Sequence, residues 1–296
     1  MSWLINSAQL DKFRKNQKNV ILFDASFHMP DEQRDAKTEF LTQHIAGAQF
    51  FSIDDFSDPD PAAPHTHMLL QDEKILSEKL SALGVRNDAK IIFYDNSKLH
   101  TACRALWMFK MFGHNPQLLY VLDGGLDSWN KYNGKTESGE PHITARPYKV
   151  NFKNEFIRTL SQMKSNLHNP SEQVIDARHA VRFAGGPETS PNLRLGHIPG
   201  SFSFPYNTLF EKDGLWRPIE KIKSQLIACG IDLKTPIITT CGTAMTAATL
   251  DFVLDLLEHP NHAIYNGSWS EWGSQKLYPN ELSLDERPVE DCLTEK

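Results

Sequence analysis

Cysteine is scarce in this chain of 296 residues: it has four, at positions 103, 229, 241 and 292. None belongs to a C-x-x-C pair, and none stands at a zinc-ligand spacing from a histidine, so the pattern excludes a zinc finger or a dithiol redox motif. Four cysteines in so long a chain also exclude a secreted disulfide framework and point to free thiols in a reducing compartment. Long basic runs are missing and the formal net charge is −6, which argues against a nucleic-acid binder. No apolar run reaches the ~20 residues of a membrane span. The opening MSWLINSAQLDKFRK lacks the apolar centre of a secretory signal. A cytoplasmic location is expected. With 40% hydrophobic and 23% charged residues, the composition is that of a folded globular protein, and the length suits two cores rather than one.

What is present is a repeat. NVILFDAS carries a short apolar run to Asp24, and EQVIDAR carries another to Asp176. QHIAGAQFF holds His44 where GHIPGSFSFP holds His197. Asp95 ends LGVRNDAKIIFYD where Cys241 ends CGIDLKTPIITTC, and Trp129 ends YVLDGGLDSW where Trp272 ends AIYNGSWSEW. The offsets are 176−24 = 152, 197−44 = 153, 241−95 = 146 and 272−129 = 143. Four matches in one order, with slowly drifting offsets, are the mark of a duplicated domain with small loop deletions. In each half, short apolar strands (VILFDA, IIFYD, LLYVLD; QVIDA, PIITTC, HAIYN) alternate with helical stretches. TACRALWMFKMF ends at Gly113 and TAATLDFVLDLLEH ends before Pro260. The expected fold is α/β, with two tandem domains, each a mainly parallel sheet with helices on both faces. The Gly-, Pro- and Ser/Thr-rich stretch from Asn133 to Pro147 opens the linker. The expected domains are 1–140 and 159–296, joined by a linker over 141–158.

The chemistry lies in PIITTCGTAMTAATLDFVLDLL. Cys241 follows a buried-type strand at once, and Gly242, Thr243, Ala244, Met245 and Thr246 lead into a helix. The carboxyl end of a parallel strand is where open α/β sheets bind ligands. A tight loop entering a helix turns amide N–H groups toward one point, which stabilises an anion and favours a thiolate. The repeat places Asp95 at the equivalent position, so this is not a buried apolar slot. Cys103, mid-helix, and Cys229, before a turn, are expected to pack in the core, and Cys292 lies in a terminal tail. A cysteine phosphatase needs an Arg closing the loop, and residues 242–248 contain neither Arg nor Lys. A thiol protease needs a His base with an orienting partner, and no local signature marks one.

These segments resemble the tandem-domain rhodanese/3-mercaptopyruvate sulfurtransferases along nearly the whole chain. The resemblance is carried by LFDASFHMP, FFSIDDFSD, THMLL, YDNSKLHTACRALWMFKMFGH and LDGGLDSW, then VIDARHAVRFAGGPE, GHIPGS, TTCGTAMTA and YNGSWSEWG. It implies two rhodanese-like domains with an active cysteine, Cys241, only in the second. Loops of the family read C-R-K-G-V-T in thiosulfate-preferring members and C-G-S-G-V-T in mercaptopyruvate-preferring ones. Here Cys241-Gly242-Thr243-Ala244-Met245-Thr246 lacks the basic pair and is similar to the second, with Ala and Met as departures. By position, the resemblance gives Thr243 as the hydroxyl partner, Asp54 and His67 as first-domain groups of the site, and Arg182 as ligand of the substrate carboxylate. The family's second substrate arginine falls on Ser190 and is absent; Arg194 is a candidate replacement. His44 and His197 are structural. Implied too are the substrate 3-mercaptopyruvate, a persulfide on Cys241, a thiol acceptor such as thioredoxin or glutathione, and no metal or organic cofactor. Thiosulfate is a dianion and wants fixed charge near the sulfur, whereas mercaptopyruvate suits Arg182 standing at a distance from the loop. A thiosulfate sulfurtransferase and a non-catalytic sulfur-binding scaffold of the same fold are the alternatives.

Overall fold

The computed structural model describes residues 3–16 and 19–292. The chain divides into two units of contact: Met1–Asp58 with Leu69–Lys153 and Lys212–Trp216, and Pro59–Met68 with Asn154–Glu211 and Arg217–Lys296. The duplication is therefore not partitioned by a single cut. Residues 59–68 pack with the second unit and 212–216 with the first. The stretch from 141 to 153 packs on the first unit, where the amides of Asn151 and Lys153 donate to the carbonyls of Phe112 and Met111.

In the first unit the strands are β1 (Leu4–Ile5), β2 (Val20–Asp24), β3 (His44–Ile45), β4 (Ala48–Phe50), β5 (Lys90–Tyr94), β6 (Leu119–Leu122) and β7 (Thr136–Glu137). The helices are α1 (Ser7–Asn16), α2 (Ala36–Thr42), α3 (Glu73–Ala82), α4 (Ala102–Met111) and α5 (Gly125–Lys131). The main sheet is parallel, in the order β1-β6-β5-β2-β4. The second unit has β8 (Ile157–Arg158), β9 (Gln173–Asp176), β10 (Phe202–Ser203), β11 (Ile237–Thr240) and β12 (His262–Tyr265), with α6 (Leu160–His168), α7 (Ala180–Phe183), α8 (Ile219–Ala228), α9 (Ala247–Leu256) and α10 (Ser268–Trp272). Its sheet is also parallel, β8-β12-β11-β9-β10. Both sheets thus share one strand order, as a duplication requires. The Asn133–Pro147 stretch also holds β7, which pairs antiparallel with β3.

Local signals account for these elements. Asp35 and Asp72 cap α2 and α3 through the amides of Thr38 and Ile75, and Thr159 with Gln162 makes a capping box on α6. Gly113, at φ +79, ends the α4 turn. Apolar residues of β2, β5 and β6 meet α1 and α5 in one core around Leu10, Ile92, Tyr94 and Trp129. The second core gathers Met163, Val174, Ile238, Tyr265, Trp269 and Trp272. The two histidines of the repeat are structural in the same way. His44 Nδ1 donates to Phe40 O at 2.7 Å and stacks on Phe40, and His197 Nδ1 donates to Phe183 O at 2.8 Å and stacks on Phe183. Cys103 is buried in α4 as expected, but Cys229 is exposed at the end of α8 rather than packed. Among the described residues no helix is long and apolar enough to cross a membrane.

Candidate active site

The central strand of the second sheet, β11, delivers Cys241 at its carboxyl end, where the chain leaves the sheet for α9. Cys241 is buried, with 2% exposure. The loop is anchored beneath: Trp269 N donates to Cys241 O and Ser270 N to Gly242 O, each at 2.9 Å. Ser268 Oγ accepts from Cys241 N at 3.3 Å and from Ala244 N at 3.1 Å. Among the described residues, the amides of Gly242, Thr243, Met245 and Thr246 have no protein acceptor. Four N–H groups on one tight loop at a helix start are a cradle for an anion. Gly242 and Thr243 form its more open side, while Ala244, Met245 and Thr246 are buried. Ala244 sits at φ +58, in the left-handed region. This gives a physical reason for the glycine that the resemblance expects there.

Arg182, on α7, lies over the loop. A Cβ on Gly242 would stand 3.5 Å from Arg182 Nη2 and 3.8 Å from Nη1. The expectation that Arg182 stands at a distance from the loop is corrected; its charge is beside residue 242. Its Nε and Nη2 donate to Glu188 Oε2 at 2.9 and 2.5 Å, and Nη1 has no protein acceptor among the described residues. Glu188 is itself buried between two arginines, its Oε1 accepting from Arg178 Nη1 at 2.7 Å. Arg178 also pairs with Asp176 at 2.7 Å and lies over the Trp269 ring at 4.2 Å. A buried carboxylate held by two guanidiniums fixes Arg182 in place.

Arg194 is differently engaged. Its Nη2 donates to Trp272 O at 2.6 Å and its Nε to Gly273 O at 3.4 Å, so its guanidinium ties down the end of α10. His67 lies on the Pro59–Met68 segment, within the second unit. On the same segment His65 Nε2 donates to Asn266 O, just after β12, at 2.7 Å, while its Nδ1 accepts from His67 N at 3.1 Å. Asp54 belongs to the first unit, where it lines a cavity of about 250 Å³ with Ser26, His28, Arg34 and Lys37. Ser268, Glu188, Arg178 and His65 escaped the reading of the sequence. Two of them left a trace in the repeat, since Ser268 faces Gly125 and Arg178 faces Ser26.

The equivalent loop of the first unit is one residue longer before its helix and differently organised. Asp95 replaces the cysteine, and its carboxylate accepts from Ser97 N at 3.1 Å and from Ala102 N at 2.7 Å. The cradle is filled by its own side chain, and burial pushes the Asp95 carboxyl up to about 6. Among the described residues, no group of His, Cys, Asp and Glu is arranged to hold a metal.

Comparison with known proteins identifies the family and the fold. The rhodanese-like domain model matches residues 7–132 and 159–275. The chain is 35% identical over 287 residues to a "Thiosulfate/3-mercaptopyruvate sulfurtransferase 1, mitochondrial" of Arabidopsis thaliana, covering 90% of this chain and 74% of that one. It is 37% identical over 254 residues to "3-mercaptopyruvate sulfurtransferase" of Homo sapiens, covering 85% and 84%. The crystal structure of SseA from Escherichia coli superposes with a TM-score of 0.81 at 30% identity, over 92% of this chain and all of that one.

Proposed function

The chain belongs to the rhodanese family, and on that premise we propose that it is a sulfurtransferase moving sulfane sulfur from 3-mercaptopyruvate through a Cys241 persulfide to a thiol. The observation that carries the reading is Cys241 at the end of the central strand, in a loop where the amides of Gly242, Thr243, Met245 and Thr246 have no protein acceptor among the described residues. In the first half-reaction the Cys241 thiolate attacks the sulfur of 3-mercaptopyruvate. The S–S bond forms as the C–S bond breaks, and pyruvate leaves as an enolate that takes up a proton. In the second, an acceptor thiolate attacks the outer sulfur, leaves with it as a persulfide and regenerates the Cys241 thiolate. Thioredoxin and glutathione are the acceptors proposed, with cyanide as an assay substitute.

Arg182 is the proposed ligand of the substrate carboxylate, a role for which a planar guanidinium is suited and which its position beside Gly242 supports. A three-carbon substrate can span from a cation beside Gly242 to the thiol. Thr243 offers its hydroxyl on the open side, and Gly242, Ala244, Met245 and Thr246 offer the cradle. Asp54 and His67 are proposed as first-half contributors, and Arg194 as a support for α10 rather than a substrate ligand. The loop carries no basic side chain of its own and the one guanidinium beside it is paired with Glu188, which supports mercaptopyruvate, with a single carboxylate, over the thiosulfate dianion as preferred donor. The proposed location is the cytoplasm, and fractionation with an antibody to the chain would test it. Mass spectrometry after addition of 3-mercaptopyruvate tests the chemistry: the expected result is one added sulfur on Cys241, lost on adding thiol and absent from Cys241→Ser. An unmodified Cys241, or full turnover by Cys241→Ser, would refute the proposal.

A further inference from the structure

We propose that Ser268 is a positioning residue for the sulfur-carrying loop, its hydroxyl pinning Ala244 in a backbone conformation that alanine disfavours; this rests on Cys241 as the sulfur carrier. Ser268 is completely buried, with 0% exposure. Its Oγ donates to Tyr265 O at 2.9 Å and accepts from Cys241 N and Ala244 N. One oxygen therefore ties both ends of the tightest part of the loop to the end of β12. Ala244 is at φ +58 and Ser268 itself at φ +52. A residue with a Cβ does not choose the left-handed region without compensation. The bond from Ala244 N supplies it at residue 244.

The two halves show why an acceptor is needed there. In the first, the position of Ser268 is Gly125, at the same φ of +52, which has no hydroxyl; the amides of Asn96 and Leu99 go instead to Ser26 Oγ and Ser97 Oγ. Asp95 organises the rest of that loop, its carboxylate taking the amides of Ser97 and Ala102. An acceptor at the Cys241 position is incompatible with a reactive thiol. In the second half the organising oxygen stands on Ser268 instead, and it consumes the amides of Cys241 and Ala244 while those of Gly242, Thr243, Met245 and Thr246 stay available to the sulfur. The identity of the amides that face the sulfur is thus set by a residue 27 positions downstream.

The test is a double-mutant cycle with Ser268→Gly and Ala244→Gly. Glycine suits φ near +52, so Ser268→Gly removes the hydroxyl without adding strain, and its melting temperature checks the fold. The readout is alkylation of Cys241 by iodoacetamide, mapped by peptide because Cys229 and Cys292 are exposed and react as well. Ser268→Gly is expected to slow alkylation at neutral pH about tenfold, and to move its pH profile about half a unit to the alkaline side. Adding Ala244→Gly is expected to recover at least about half of that loss on a logarithmic scale, because glycine holds the left-handed conformation unaided. An unchanged profile in Ser268→Gly overturns the proposal, and so does an equal loss in both backgrounds. Should Ser268→Gly fail to fold, the same comparison is made with Ser268→Ala placed in the Ala244→Gly chain, where a parent-like alkylation profile supports the pin and a tenfold loss overturns it. Alkylation needs no substrate, so failure of the parent protein to form a persulfide sinks the sulfur-transfer reading without deciding this one.

Discussion

Replacing Asp24 with asparagine should make the protein more stable at neutral pH and leave it unchanged in acid. Asp24 ends β2 at 3% exposure. Its Oδ1 accepts from Ser26 N at 3.0 Å and Ser26 Oγ at 2.5 Å. In the second half the matching Asp176 has the Arg178 guanidinium, but the first half has Ser26 in that place, and the carboxyl is buried without a cation. Burial pushes it from the ordinary 3.8 up to about 6; the Ser26 and Tyr94 hydrogen bonds oppose this, and the Asp95 charge adds to it. The folded state therefore binds this proton more tightly than the unfolded chain does, so the contribution of Asp24 to stability is greatest below pH 3.8, declines as pH rises to about 6, and is level above. At 1.36 kcal/mol per pH unit, the rise from 3.8 to about 6 costs the fold about 3 kcal/mol at pH 7.5. A protonated carboxyl and a carboxamide are nearly isosteric, so the acid end of the series measures any cost of the substitution itself. Urea unfolding of parent and Asp24→Asn at matched pH values from 4 to 7.5 should show a stability difference growing by about 2.5 kcal/mol in favour of the variant. A difference that does not vary with pH would refute the reasoning.

Arg178→Met would leave Asp176 and Glu188 buried without their shared cation, and should cost about 3–5 kcal/mol, read as a fall in melting temperature at pH 7. Arg182→Lys keeps the charge but loses the planar fork; the KM for 3-mercaptopyruvate should rise about tenfold with kcat little changed, by the worth of one charge-assisted hydrogen bond. Arg194→Ala removes two bonds to the end of α10, and should lower the melting temperature while leaving KM near that of the parent; a large rise in KM with an unaltered melt would return Arg194 to the substrate.

The sequence by itself determined the architecture, because the signals involved are local or repetitive. Six apolar runs stand where six sheet strands form, from VILFD at β2 to HAIY at β12, since a parallel strand buried on both faces must be apolar throughout. The repeat dictated that both sheets share one strand order, and it set Asp95 opposite Cys241. The Cys241 loop was legible because a strand, a tight turn and a helix start are contiguous in the chain. The tertiary structure alone decided what closes around that loop. Ser268 reaches Ala244 from 24 residues away and Glu188 bridges two arginines, and neither pairing leaves a periodic trace. The structure alone also assigned Pro59–Met68 to the second unit and brought His65 to the Asn266 carbonyl. Burial did the rest: aspartates that read alike in the sequence, Asp24 and Asp176, differ because only one has a guanidinium within reach inside its core.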